Sequence, residues 1–438
     1  MKKRSRSTVL RAAALAGMVL LGACVGDGEE LLQPVEPATG GALFQRYMSL
    51  GNSITAGYQS GGIYDTLQLR AYPVLLANKA NAEFTSPLVQ FPGCPRPFAA
   101  PLGATGRIGT ADTCVRTNNP RFIQNVGVPG ERLRDLLRFP SGDVARLHIL
   151  LLGERTQVRH MLDNKPSFVS VWIGNNDALE ATVGGILGPL TAGADSSLTP
   201  LNKFQADLSS LADSIASITP KGVMLVGVVN AIRAAPIVQP GAYFYLAAST
   251  TGGAFQGRTV NANCSPVNNL GQPNPLSANL VSFQMVTAAG FTEINCDPNA
   301  YPVGDPRRGA FLLDVAEQGI VTARVNAFNA AIKAVADARG WLYVDPNVLL
   351  EDYRSRRTSG RYTFVRKCQD LATATTPAQF QSAVALSCPV TGATGEPNFF
   401  GSLFSFDGVH PSTSAHVIIA NYFAAQINTK YQTVLPTT

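Results

Sequence analysis

Histidine is scarce in this sequence, and the spacings that bind metal ions are absent from it. The chain has four histidines in all, and it contains no H-E-x-x-H motif and no C-x₂-C pair. Zinc sites are usually built from such closely spaced ligands. The sequence therefore disfavours a metallohydrolase and a structural zinc site, and we expect no metal ion.

The chain also lacks a strong net charge once its first segment is set aside. Five lysines and arginines within the first eleven residues precede the apolar run Ala12–Leu21, which is too short to span a bilayer and is typical of a secretory signal. Removal of those five from the 35 basic residues leaves 30, against 29 acidic ones. A nearly neutral mature protein gives no electrostatic reason to expect nucleic acid as a partner.

The signal ends in Leu21–Cys24 (LGAC), which resembles a bacterial lipobox: small residues before the cleavage site, then a cysteine whose thiol takes the lipid. An ordinary cleavage site beside a cysteine is the alternative. Acyl chains contribute about 0.8 kcal/mol per buried CH₂, so acylation at Cys24 would hold the protein on a membrane without a spanning helix. We predict a signal peptide over residues 1–23, and Val25 favours the outer membrane in a cell that has two membranes.

Disulfide bonds are expected because six cysteines remain when Cys24 is set aside, an even number in a chain that is predicted to be exported. Several connectivities are possible from sequence alone. Pairing of sequence neighbours would close three separate loops. The predicted pairs are Cys94 with Cys114, Cys264 with Cys296, and Cys368 with Cys388.

The pattern of hydrophobic residues predicts one α/β domain over residues 43–432, after a flexible Gly- and Pro-containing tether at 24–42. Short apolar runs alternate with amphipathic stretches, as in a parallel sheet covered by helices on both faces. The predicted strands, about five in one sheet, are Phe44–Leu50, Phe122–Val126, Phe168–Ile173, Val223–Val229 and Leu342–Val344. The predicted helices are Glu131–Leu137, Val144–Leu162, Leu201–Ile218, Gly319–Ala338 and Ser414–Ile427.

Two stretches, near 85–120 and 234–306, interrupt this alternation and are rich in Gly, Pro, Asn, Ser and Thr. Each contains one predicted disulfide, so we expect ordered insertions that form lids or walls of a binding cleft. The aromatic residues of the second insertion could line an acyl groove or form a small satellite core. They are Tyr243, Phe244, Tyr245, Phe255, Phe283 and Phe291.

A serine stands just after the first predicted strand, in the segment Gly51–Gly57 (GNSITAG). Open α/β sheets bind their ligands at the carboxyl ends of strands, which suits Ser53 for nucleophilic attack. A simple turn in which serine caps a helix is the alternative. The α/β-hydrolase elbow, G-x-S-x-G, is disfavoured because Thr55 occupies its last position.

Near the other end, Asp407–His410 (DGVH) places a carboxylate three residues before an imidazole. The carboxylate can fix the tautomer of the ring and stabilise the imidazolium that forms when a serine proton is taken. The other histidines are less suitable. His148 and His160 fall on a predicted helix and are expected to be surface or partly buried structural residues, while His416, in the last helix, is expected to pack or to face water.

Two further turns could supply donors to an oxyanion: Asn125–Gly130 (NVGVPG) after the second strand, and Gly174–Asp177 (GNND) after the third. Each could be only a turn, since Gly, Asn and Pro favour turns for conformational reasons. Their joint position at one edge of the predicted sheet favours an active site.

These four segments resemble, in order and spacing, the four blocks of the SGNH hydrolases, also called GDSL esterases and lipases. The resemblance runs from about residue 44 to residue 430 and implies a flavodoxin-like three-layer sandwich. It implies that Ser53 is the nucleophile and that Asp407 and His410 complete a triad. The Ser53 amide, Gly130 and Asn176 would form the oxyanion hole.

One position departs from the family pattern, since Asn52 replaces the usual aspartate of the first block, which is thought to join active-site loops. The second block is the loosest, so Gly130 is preferred to Gly127. The implied reaction is ester hydrolysis through an acyl-enzyme, with a lipid, acyl ester or acetylated sugar as substrate and no cofactor. A carbohydrate O-acetylesterase and a non-catalytic ligand-binding lipoprotein are the alternatives.

Overall fold

The computed structural model divides the chain into two units, residues 1–38 and residues 39–438. It describes residues 40–103, 105–185, 197–250, 259–288, 290–355, 358–359, 362–363, 374–387 and 400–438, all of them in the second unit. The predicted signal peptide, Cys24, Phe255 and the predicted pair Cys368 and Cys388 lie outside the described residues.

The described residues form nine strands and fourteen α-helices. The strands are β1 Tyr47–Gly51, β2 Phe168–Trp172, β3 Gly222–Val226, β4 Val238–Pro240, β5 Leu280–Ser282, β6 Leu312–Leu313, β7 Leu342–Val344, β8 Thr358–Ser359 and β9 Tyr362–Thr363. The helices are α1 Ser53–Ala56, α2 Asp65–Gln68, α3 Tyr72–Lys79, α4 Gly142–Leu152, α5 Gln157–Asn164, α6 Asn176–Gly184, α7 Leu201–Ser217, α8 Ala231–Ala234, α9 Gly241–Ser249, α10 Gln284–Thr287, α11 Val315–Ala338, α12 Pro346–Ser355, α13 Pro377–Ser387 and α14 Thr413–Tyr431.

The main sheet is parallel and has the strand order β1-β2-β3-β7. Its two faces are covered by different helices, because successive side chains of a strand point to opposite sides. In β2, Val169 and Val171 pack in the cluster that contains α5, α7 and α11, whereas Phe168 and Trp172 pack in the cluster with α3 and α14. The predicted three-layer α/β sandwich is therefore confirmed.

The sheet has four regular strands, whereas about five were predicted. The segment predicted as the second strand still runs along β1: the Ser49 amide donates to the Gln124 carbonyl, and the Val126 amide donates to the Ser49 carbonyl, at 2.9 and 3.0 Å. It makes only an isolated bridge, at Asn125. Regular pairing stops because the Gly51 amide donates to the Gln157 side chain instead of to this segment, although the Val128 amide still donates to the Gly51 carbonyl at 3.1 Å. With this segment beside β1, the order matches the flavodoxin-like arrangement.

The helix predicted over Val144–Leu162 is in fact two helices. The first, α4, ends at Gly153, whose φ of +72° is a conformation that favours glycine. The second, α5, begins after Thr156, whose hydroxyl accepts the Arg159 amide. Glu131–Leu137 forms only a 3₁₀ turn over Leu133–Leu136. The remaining predicted helices are present, with ends that differ by a few residues.

In the second insertion, β4 and β5 form a small antiparallel sheet with β6, and the insertion supplies most of a second hydrophobic cluster. Tyr243, Phe244 and Phe283 are buried in this cluster, so the described aromatic residues of the insertion build a satellite core. Disulfides join Cys94 with Cys114 and Cys264 with Cys296, as predicted. Within the described ranges, no helix combines the length and the hydrophobicity needed to cross a membrane.

Candidate active site

Ser53 lies at the carboxyl end of β1, where the chain turns sharply into α1. It is the first residue of α1, and Asn52 caps the helix by accepting the Ile54 amide at 3.3 Å. A side chain at Gly51 would place its Cβ 2.1 Å from the Thr55 hydroxyl, so the turn requires glycine there. The close turn leaves Ser53 only 6% exposed, at the edge of the sheet.

A chain of two hydrogen bonds joins the three residues that the sequence predicted to form a triad. The Ser53 Oγ lies 2.8 Å from His410 Nε2, and His410 Nδ1 lies 2.8 Å from Asp407 Oδ2. Because the carboxylate accepts the Nδ1 proton, Nε2 is left to accept from the serine hydroxyl. This is the arrangement that a serine needs to become a nucleophile.

Asp407 is held as an anion by an unusually complete set of donors. Its Oδ1 accepts the amides of Val409 and His410, both at 2.9 Å, and its Oδ2 accepts the Gly61 amide at 2.7 Å. Burial alone would raise the pKa of Asp407, but attraction and hydrogen bonds from His410, with those amides, lower it to about 2. The carboxylate therefore stays charged at any physiological pH.

The turn after α1 is tied directly to the hairpin that carries Asp407. The Ser60 amide donates to the Ser405 hydroxyl at 2.8 Å, and the Phe406 amide donates to the Ser60 hydroxyl at 3.1 Å. From the first insertion, Arg107 donates to the Gly61 carbonyl at 2.7 Å. We call Ser60, Gly61, Ser405 and Phe406 the clamp. Sequence analysis missed it, and the paired glycines 61 and 62 were its only visible signal.

Tyr58 supports the imidazole from the side. Its ring meets the His410 ring edge-on, with the two centroids 4.9 Å apart. Burial and the nearby negative charge of Asp407 raise the pKa of Tyr58, so the phenol stays neutral. The ring thus restricts the imidazole through packing rather than through charge, and this contact was also not predicted.

The predicted oxyanion donors are at the same edge of the sheet. Asn176 is the first residue of α6, and its Nδ2 donates to the Glu131 carbonyl at 2.8 Å. Gly130, with a φ of +87°, is exposed in a cleft that Asn176 and His410 also line. Gly127 is instead buried against α1, where a Cβ would lie 2.8 Å from the Ala56 amide nitrogen. Of the two glycines, Gly130 is therefore the one beside the cleft.

A buried polar network lies beneath this edge and joins both sides of the site. The Gln157 side chain exchanges two hydrogen bonds with the backbone of Gly51, at 2.9 and 2.7 Å, and it also donates to the Glu131 carboxyl group. The other carboxyl oxygen of Glu131 contacts His148 Nδ1. The expectation of a surface or partly buried His148 was wrong, because its side chain is fully buried.

The Glu131–His148 contact must contain a proton. His148 Nε2 lies 3.0 Å from the Arg155 carbonyl, which can only accept, so Nε2 carries a hydrogen. A second proton must then lie between His148 Nδ1 and the Glu131 carboxyl oxygen, bonded to one of these atoms and accepted by the other. Burial raises the pKa of Glu131 to about 7. The pair is thus neutral overall, which allows it to be buried.

The remaining histidines have structural surroundings. His416 is fully buried, and its Nδ1 accepts the Tyr72 amide at 3.2 Å. Burial lowers the pKa of His416 to about 3, so it stays neutral. His160 is partly buried beside the Leu152 carbonyl. In the described part of the chain, no three His, Cys, Asp or Glu side chains come close enough to share a metal ion.

Asn52, the departure from the family pattern, serves as a helix cap. It is fully buried, and its Oδ1 accepts from the Ile54 amide. Its Nδ2 has no hydrogen-bond partner among the described residues. The hydrogen bonds seen at Asn52 therefore stay within the first turn of α1, and the clamp makes the connection between loops.

The raised pKa of Glu131 predicts a pH-dependent stability that Glu131→Gln removes. A carboxyl group whose pKa rises from 4.5 to about 7 on folding stabilises the protein below pH 4.5, and this stabilisation is lost as the pH rises to about 7. Relative to Glu131→Gln, the wild-type free energy of unfolding should fall by up to about 3 kcal/mol across that range. Urea unfolding of both proteins at several pH values measures this difference, in which the titrating groups other than Glu131 and its partner His148 cancel. Parallel pH profiles for the two proteins would contradict the prediction.

Several solved structures align with most of the chain, among them an esterase and a lipase. The chain is similar to a catalytic mutant of an acetylxylan esterase from Geobacillus stearothermophilus, with 15% identity over 87% of this chain and 94% of that chain and a TM-score of 0.34. It is also similar to an extracellular lipase from Streptomyces rimosus, with 13% identity over 84% of this chain and 94% of that chain and a TM-score of 0.29. No protein-family model matches the chain, and no curated protein matches it. At these values the likeness does not extend to function.

Proposed function

We propose that the protein is a serine hydrolase that cleaves carboxylic esters through an acyl-enzyme. The observation that carries this proposal is the pair of 2.8 Å hydrogen bonds that joins Ser53 to His410 and His410 to Asp407. The resemblance of the four sequence segments to SGNH hydrolases supports the same function. In addition, Ser53 and His410 both line a cavity, so a substrate can reach them.

In the first half of the reaction, His410 Nε2 takes the proton of Ser53 as the Oγ attacks the ester carbonyl. Negative charge then develops on the carbonyl oxygen. The Ser53 amide, the Gly130 amide and the Asn176 side chain are the proposed donors to it. The Asn176 amide group has two N–H bonds, so it can keep its bond to the Glu131 carbonyl and still donate to the oxyanion.

The imidazolium of His410 next gives its proton to the departing alcohol, which breaks the ester bond and leaves Ser53 acylated. In the second half, His410 deprotonates a water molecule, and the resulting attack releases the acid and restores the serine. Throughout, the charged Asp407 stabilises the imidazolium. Only this chain and water take part in these steps.

The test of this function is the loss of activity in Ser53→Ala. We expect wild-type protein to hydrolyse p-nitrophenyl esters and to react with a serine-directed phosphonate, one label per chain. Both reactions should be lost in Ser53→Ala, with hydrolysis down by at least about 10³-fold. Ser210→Ala, on the exposed side of α7, is the matched control and should behave as wild type. Folded wild-type protein that neither reacts with the phosphonate nor hydrolyses any ester would support the non-catalytic alternative.

We also propose that the mature protein is a lipoprotein, attached through Cys24 to the outer membrane of a bacterium. Support comes from the lipobox-like segment Leu21–Cys24 and the short apolar run before it. The expected result for expression in a Gram-negative host is wild-type protein in the outer-membrane fraction and Cys24→Ala in a soluble fraction. Incorporation of labelled fatty acid should require Cys24. Unlabelled wild-type protein would contradict the proposal.

A further inference from the structure

A cavity of about 110 Å³ adjoins Ser53 and His410, and its walls are almost entirely apolar. Apart from those two residues, the side chains with polar atoms that line it are Asn175, Asn176, Tyr353 and Trp172. Among the described residues that line it, none is Asp, Glu, Lys or Arg. The residues that form its far walls include Leu349 and Leu350 of α12, Ile418 and Ile419 of α14, and Leu403 and Phe404 before the triad hairpin.

The rings that line the cavity add to its apolar character. Trp172 has its only polar atom occupied, because its Nε1 donates to the Gly227 carbonyl at 3.0 Å. Size is also informative. A water-sized group needs about 10–15 Å³ of the same kind of space, so the single methyl group of an acetyl ester would leave most of this cavity empty. A ligand that covers the apolar walls of this cavity would remove them from water, which is favourable.

A second space, a cleft of about 650 Å³, lies beside His410 and has a mixed lining that includes charged side chains. Arg107, Arg132 and Glu180 line it, together with the proposed oxyanion donors Gly130 and Asn176. The alcohol that is released as the acyl-enzyme forms must depart into water with a proton from His410. The cleft, with its charged side chains, suits this group, whereas the apolar cavity suits a chain that makes no hydrogen bonds.

We propose that the apolar cavity binds the acyl chain of the ester, so that the substrates are esters of fatty acids longer than butyric acid. The inference rests on the proposed esterase function and deepens it. A bound chain would extend from Ser53 between α12 and α14, with its carbonyl at the oxyanion donors. The driving force is removal of its methylene groups from water.

The test varies the acyl chain while the leaving group stays constant. Each buried methylene contributes about 0.8 kcal/mol, which is about fourfold in kcat/KM. From p-nitrophenyl acetate to the octanoate, six methylenes are added, and kcat/KM should rise by at least about 100-fold. Equal values for both esters, or a preference for acetate, would overturn the inference.

Two neighbouring substitutions on α14 locate the effect in the cavity. Ile418 lines the cavity, so Ile418→Trp should reduce the octanoate-to-acetate ratio of kcat/KM by at least about tenfold. Val417 is 38% exposed and does not line it, so Val417→Trp should keep the wild-type ratio. Leu349→Trp, on α12, repeats the test at a cavity residue of another helix in case Ile418→Trp fails to fold. An unchanged ratio in a folded cavity variant would overturn the proposal.

A reversed pair of substrates separates the acyl chain from the alcohol. If octyl acetate is cleaved faster than ethyl octanoate, the cavity binds the alcohol, and the inference is wrong. Labelling by a small phosphonate distinguishes a failure of the substrate inference from a failure of the esterase function. Labelled Ser53 with a preference for acetyl esters would defeat the substrate inference alone, whereas unlabelled Ser53 in folded protein would defeat the esterase function itself.

Discussion

The active site depends on one connection between distant parts of the chain: the hydrogen bond from Ser53 to His410, which are 357 residues apart. The clamp maintains it. Ser60 bonds to the hairpin with both its amide and its hydroxyl group, and Gly61 donates to Asp407 itself. The turn that follows the nucleophile thus also donates a hydrogen bond to Asp407, the carboxylate that orients His410. Any movement of the hairpin away from α1 would break these bonds together.

A second constraint on the active site is the buried hydrogen-bond network of Gln157 and Glu131. The buried side chain of Gln157 fixes the backbone of Gly51, two residues before the nucleophile, and bonds to Glu131. The carbonyl of Glu131 accepts from Asn176. The side chain of Glu131 therefore bonds to Gln157, which supports the nucleophile, and its backbone bonds to Asn176, a proposed oxyanion donor. Such fully hydrogen-bonded networks are rigid, which suits a site whose atoms must stay within tenths of an ångström.

The triad could be predicted from sequence because each member stands in a local pattern that is visible by itself: Ser53 after an apolar strand, and Asp407 three residues before His410. The supports could not be predicted, because their partners are far away in sequence. His148 lies on an amphipathic helix, and only the opposing Glu131 makes its burial possible. The second strand shows a related limit. Its apolar residues indicated pairing, but Gln157, which is distant in sequence, accepts the Gly51 amide that would otherwise continue the pairing.

The most direct test of the hydrogen-bond chain is the effect of Asp407→Asn on kcat. An amide would donate to His410 Nδ1 where the carboxylate now accepts, so the imidazole would carry its proton on Nε2 and could not take one from Ser53. With the p-nitrophenyl ester that wild-type protein cleaves fastest, and with protein shown to be folded by circular dichroism, the account predicts that kcat falls by about 10³–10⁴-fold. A kcat within about tenfold of the wild-type value would contradict it.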